Sequence, residues 1–253
     1  TSGVPSYSQI QPDSVVVDSL EVAVAEEDLL FKEDTTDFVY FAIPTEIEYV
    51  PGDDAPDLIR DRLTCIEQTI PLVYNERIHA FINYFTVKDR EYTRLMVRRK
   101  NLYFSLFEKY LAKYGLPDEL KYLSIIESGL NPRAISRVRA IGLWQFMSAT
   151  GGRFGLKQDW WYDGRRDVVS ATQAALDYLT YLHDMFNGNW LHAIAAYNCG
   201  EGNVSKAIKR NRAANKKIDF WNLKLPAETR GYVPRLLAMS RVVANPEVYG
   251  LSI

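Results

Sequence analysis

Pro117-Asp118-Glu119-Leu120-Lys121-Tyr122-Leu123-Ser124-Ile125-Ile126-Glu127-Ser128-Gly129-Leu130-Asn131-Pro132 sets one carboxylate at the end of an apolar helix, directly before a turn. Pro117 suits a first helical position, and Asp118 and Glu119 complement the positive end of the helix dipole. Gly129 stops the helix and Pro132 keeps it stopped. Glu127 follows Leu123 by four residues and Leu120 by seven, so helical spacing puts it on the stripe of two core-facing leucines. A carboxylate in apolar surroundings finds a partner or raises its pKa and holds its proton near neutral pH. A group of that kind serves as a general acid. The plain alternative is a partly exposed glutamate at a helix end, and this segment alone leaves both readings open.

Working outward, the helical pattern continues. From about Asp57 apolar residues recur at Leu63, Ile66, Ile70, Val73 and Ile78, and a charged stretch over 90–100 runs into Leu102, Phe104, Leu106, Phe107, Tyr110 and Leu111. Val168, Thr172, Ala175, Leu179, Leu182 and Phe186 mark a long amphipathic helix. Shorter helices are expected over 190–197 and 204–209, with Asn187-Gly188-Asn189 as a turn, and a last helix over 228–243. Residues 1–57 read differently. They hold 14 acids and one base, five prolines and two β-prone pieces, Ser14–Val17 and Phe38–Ile43. We expect an irregular acidic N-terminal extension over 1–57, partly extended or disordered, and an all-α domain over 58–253.

Composition bounds the function. A chain of 253 residues, 47% apolar and 25% charged, is an ordinary globular protein. No apolar run approaches the roughly 18 residues a membrane-spanning helix needs. Residues 58–253 carry 18 acids against 29 bases, a net +11 hidden by the overall −2. That excess suits an anionic partner, and the absence of a recognised motif argues against nucleic acid. Cys65 and Cys199 are expected as buried thiols. His79, His183 and His192 lack ligand spacing, so no metal and no cofactor is expected.

Four ordered motifs carry a resemblance. They are Glu127-Ser128, Gly142-Leu143-Trp144-Gln145, Ala196-Tyr197-Asn198, and Glu228-Thr229-Arg230-Gly231-Tyr232-Val233. With Trp161-Tyr162-Asp163-Gly164-Arg165-Arg166-Asp167, Asn198-Cys199-Gly200-Glu201-Gly202 and Asp219-Phe220-Trp221, the chain resembles the family 1 lytic transglycosylases over roughly residues 95–245. The resemblance implies a lysozyme-like (SLT-type) catalytic domain acting on peptidoglycan glycan strands. Glu127 would be the single acid and base that cleaves between N-acetylmuramic acid and N-acetylglucosamine and closes a 1,6-anhydro ring. Ser128, Gln145, Tyr197 and Asn198 would bind the sugar, and Tyr232 would orient Glu127. Glu228 is expected in a structural pair, for example with Arg230. The family often has Met at Trp144 and Gly at Arg139, so the loop shape there is in question. The resemblance also implies a periplasmic or cell-envelope location, with membrane association through an anchor upstream of Thr1. A lysozyme-type hydrolase, with Asp163 or Asp167 activating water, and a non-catalytic cell-wall module stay as alternatives.

Overall fold

The computed structural model describes Ile70 and residues 75–251. The expectations for 1–57, for Cys65 and for most of the pattern over 57–74 lie outside the described residues. Within them the structure is helical, and paired backbone outside helices is limited to isolated bridges such as Ile135–Ile141 and Ile141–Phe146. Among the described residues the α-helices are α1 (Glu76–Asn83), α2 (Arg90–Tyr114), α3 (Leu123–Ser128), α4 (Ser148–Arg153), α5 (Val168–Met185), α6 (Trp190–Cys199), α7 (Glu201–Ala213) and α8 (Ala227–Ala244).

Local signals account for many helix ends. Asn75, Asp167 and Asn189 cap α1, α5 and α6 by accepting from the backbone N–H of Ile78, Ser170 and His192. Gly115 ends α2 and Gly129 ends α3, both in the left-handed conformation. The expected turn at Asn187-Gly188 has positive φ at both residues.

Helix α2 and helix α8 form the spine. The inner stripe of α2 runs through Met96, Arg99, Tyr103, Phe107 and Leu111, all buried. Helix α8 packs on α1, α6 and α3, while α5 packs on α6 and α6 on α7. Pro234 lies inside α8 and supplies no N–H to the helix ladder there.

The segment that decides the fold departs from the expected single helix. Asp118–Tyr122 is a 3-10 turn, and the α-helix begins only at Leu123. Pro117 caps the turn with extended ψ of 135° rather than opening a helix. The acids are drawn sideways: Asp118 and Glu108 both bind Lys121, the latter at 2.6 Å, and Glu119 accepts from the Ile70 N–H. Tertiary partners thus override the dipole argument, and the tighter turn lets Leu120, Leu123 and Ile126 all reach the core.

Candidate active site

Glu127 sits on the last turn of α3, which Gly129 terminates at φ 61°. Arg99, fully buried in α2, donates to the Gly129 carbonyl at 2.9 Å and fixes that terminus from below. Ser128 is also fully buried. Its hydroxyl donates toward the carbonyls of Ser124 and Leu143, at 3.0 and 2.9 Å. Ser128 therefore ties the acid-bearing helix to the following loop, and it is not among the residues lining the cleft.

That loop, residues 134–147, folds tightly on itself. Gly142 N–H donates to Ala134 O, Ser136 N–H to Ala140 O, and Ile141 and Phe146 exchange a pair of bonds. Three left-handed residues make this possible: Arg139 at φ 63°, Gly142 at 83° and Gln145 at 49°. Gly142 has no alternative, because a Cβ there would lie 1.9 Å from the Arg165 carbonyl. Arg139 adopts the conformation a glycine would favour, so the loop keeps its shape without one, at a cost of about 1 kcal/mol or more. Trp144 is fully buried, donates to Thr172 Oγ1 at 3.0 Å and packs on Phe107. Trp144 therefore fills core, with its carbonyl left to accept from the Tyr197 hydroxyl at 2.9 Å.

These elements enclose a cleft of about 260 Å³ lined by Glu127, Gln145, Tyr197, Asn198 and Tyr232, together with Ser136, Val138, Met147, Glu228 and Arg235. Five of the six expected site residues meet here. The Gln145 amide nitrogen bonds Gly142 O and Ala134 O, so its positive φ and its side chain close the loop together. Asn198 accepts from Thr229 Oγ1 at 2.7 Å, joining α6 to α8.

Tyr232, buried in α8, donates its hydroxyl hydrogen bond to Glu127 Oε1. Burial pushes the Glu127 carboxyl up to about 7, against the stabilising hydrogen bond from Tyr232 and the positive field of Arg235, with Glu228 adding a smaller push upward. Burial first, and the adjacent Glu127 second, hold the Tyr232 phenol well above its usual value, so it remains a donor. The cleft therefore presents a carboxyl group poised to give and regain a proton near neutral pH, with an oriented hydrogen bond on one oxygen.

Sequence reading missed Arg235 and gave Glu228 no place in the cleft. Glu228, expected in a structural pair, also lines the cleft, with Asn198 Nδ2 at 3.5 Å from its carboxylate. The signal was available: Glu228, Tyr232 and Arg235 follow at spacings of four and three, one face of a helix. The two acids weighed for water activation are committed elsewhere. Asp163 forms a bidentate ion pair with Arg165, at 2.9 and 2.6 Å, and Asp167 caps α5. Among the described residues no cluster of three or more His, Cys, Asp or Glu is arranged to hold a metal ion.

Comparison with known proteins bears on this geometry. Residues 105–220 match the Transglycosylase SLT domain family model. Membrane-bound lytic murein transglycosylase D of Escherichia coli (strain K12) is 44% identical over 165 residues, 65% of this chain and 36% of that protein. Soluble lytic murein transglycosylase of the same organism is 27% identical over 158 residues, 60% of this chain and 24% of that protein. A solved structure of lytic transglycosylase Slt from Pseudomonas aeruginosa is 25% identical, with a TM-score of 0.44 over 56% of this chain and 24% of that one. This chain thus spans about a third of the first relative and a quarter of the second. The matched stretch contains Glu127, the tight loop and the Tyr197-Asn198 pair, so residues 105–220 carry the pattern of a transglycosylase SLT domain, and the chain is similar to membrane-bound lytic murein transglycosylase D.

Proposed function

We propose that this chain is a peptidoglycan lytic transglycosylase. The observation that carries the proposal is Glu127, a carboxyl raised to about 7 by burial, oriented by Tyr232 and lining the cleft. The protonated Glu127 gives its proton to the oxygen joining muramic C1 to the next sugar, and the C1–O bond breaks. The substrate's 2-acetamido oxygen bonds C1 as the leaving sugar departs. Glu127, now a carboxylate, takes the proton of the muramic C6 hydroxyl, whose oxygen bonds C1 and displaces the acetamido oxygen. The 1,6-anhydro ring is closed, Glu127 is protonated again, and no water is consumed.

One carboxyl suffices because its raised pKa lets it serve in both directions. The C6 hydroxyl is tethered to the reacting carbon, and a well-aligned tethered group competes at an effective concentration on the order of 10⁵ M. Gln145, Tyr197 and Asn198 are assigned to hold the sugar, and Ser128 to hold the loop that carries Gln145. We assign the work to the cell envelope, since peptidoglycan is there. None of the described helices is long and apolar enough to cross a membrane.

Glu228 favours a second reading. An exposed carboxylate in the same cleft is a candidate for activating water, which would make the chain a lysozyme-type hydrolase. Paired variants separate the two. Under the lyase proposal Glu127→Gln loses activity by about 10²-fold or more, while Glu228→Gln still releases anhydro ends. Retained turnover in Glu127→Gln would remove Glu127 from the chemistry. Loss of all product in Glu228→Gln, with hydrolysed ends in the unaltered chain, would establish the second reading.

A further inference from the structure

Trp160 and Trp161 are 80% and 79% exposed, and their rings lie against one another with centroids 3.5 Å apart. Two adjacent tryptophans facing water are a costly arrangement in a globular protein, and such patches mark binding surfaces. The loop that presents them is tightly built. Asp159 Oδ1 accepts from the N–H of both Trp161 and Tyr162 at 2.8 Å. Asp159 N–H donates to Tyr162 O and Gly164 N–H to Lys157 O, both at 2.9 Å, and Gln158 pairs with Asp163 as an antiparallel bridge. A loop held this closely presents its aromatic faces with little ordering left to be done on binding.

The loop is also continuous with the cleft wall. Gln158 Nε2 donates to Ser148 O at 3.2 Å, and Ser148 follows the cleft-lining Met147. At the other root Arg165, held by Asp163, reaches the carbonyls of Arg139 and Phe146 in the cleft loop, each at 3.4 Å. The tryptophan pair thus stands on the same loop assembly that bounds the cleft beside Glu127.

We propose that Trp160 and Trp161 form a stacking platform for sugar rings, a distal subsite on a glycan strand that extends from the cleft past Met147. The inference rests on the glycan reading above. Pyranose rings carry one flat face of C–H groups, which matches an exposed indole, while their edges keep hydroxyls in water. A lipid surface is the other chemistry that exposed tryptophans meet. The rigid loop, the carboxylate of Asp159 at its tip and its continuity with the cleft favour the polymer.

The test is co-sedimentation of the full chain, as Glu127→Gln so that the polymer stays intact, with purified peptidoglycan sacculi and, in parallel, with phosphatidylglycerol vesicles. Trp160→Ala with Trp161→Ala is expected to weaken sacculus binding on the order of tenfold, with an unchanged melting midpoint. Trp160→Phe with Trp161→Phe keeps two aromatic faces and is expected to restore most of it. Undiminished sacculus binding by the alanine variant overturns the platform alone. A loss confined to vesicles overturns it in favour of a membrane contact. Failure of the parent itself to bind sacculi overturns the glycan reading and the platform with it.

Discussion

Glu127→Gln has a consequence for stability that is separate from its effect on catalysis. The folded carboxyl titrates at about 7, against 4.5 for its ordinary value, mainly because burial penalises the charged form. Between those pH values the folded chain holds a proton that the unfolded chain has released. The carboxyl's contribution to stability is therefore fully present below 4.5 and is lost as pH rises through about 7. The shift corresponds to about 3 kcal/mol at most, discounted by whatever water reaches the side chain from the cleft. Glutamine has no proton to lose, and its Oε1 can still accept from Tyr232. Chemical denaturation of both proteins across pH checks this. The two should be similar near pH ~4, and Glu127→Gln more stable near pH ~8 by up to about 3 kcal/mol, roughly 5–10 °C in the midpoint. Parallel curves, or a gap that widens toward acid, would refute a carboxyl held protonated by burial.

Tyr232→Phe removes a hydrogen bond that favours the carboxylate, so Glu127 should titrate higher still. A bond to a charged group is worth about 1.5–3 kcal/mol, so the alkaline limb of the pH–activity profile should move up by about 1–2 units, and an unmoved limb would contradict the assignment. Gly142→Ala drives a Cβ into the Arg165 carbonyl and should destabilise by about 3 kcal/mol or more in denaturant; a parental midpoint would mean the loop has room that its geometry denies. Arg139→Gly relieves a left-handed arginine but frees the unfolded chain, so its midpoint should stay within about 0.5 kcal/mol of the parent, and a larger loss would reveal a contact made by the arginine side chain.

Local pattern reached as far as local physics does. Helix α5 was legible from its apolar stripe and the Asn187-Gly188 turn, which act within a few residues, whereas Asp167, weighed as an acid for water, caps its start. The stop at Gly129 was legible for the same reason. The start of that helix was not, since Asp118 answers to Lys121 and Glu119 to the Ile70 N–H rather than to a helix dipole. In the site, Tyr232 was tied to Glu127 through family resemblance, and the geometry bears out their contact across 105 residues. Ser128 shows the limit of such transfer: adjacency to the acid does not reveal that its hydroxyl turns inward to Leu143. Arg99 was invisible because a charged residue in a core stripe looks like a surface position until its partner, the Gly129 carbonyl, is known.

The most direct test of the central proposal is the fate of oxygen. Purified peptidoglycan digested by the chain in heavy-oxygen water, with the released sugars analysed by mass spectrometry, reports what attacks C1. If the Glu127 carboxylate takes the proton of the tethered C6 hydroxyl and that oxygen closes on C1, the products carry 1,6-anhydromuramic ends and no heavy oxygen. Heavy oxygen at a new reducing end would contradict the account and make water, activated beside Glu127 and Glu228, the nucleophile.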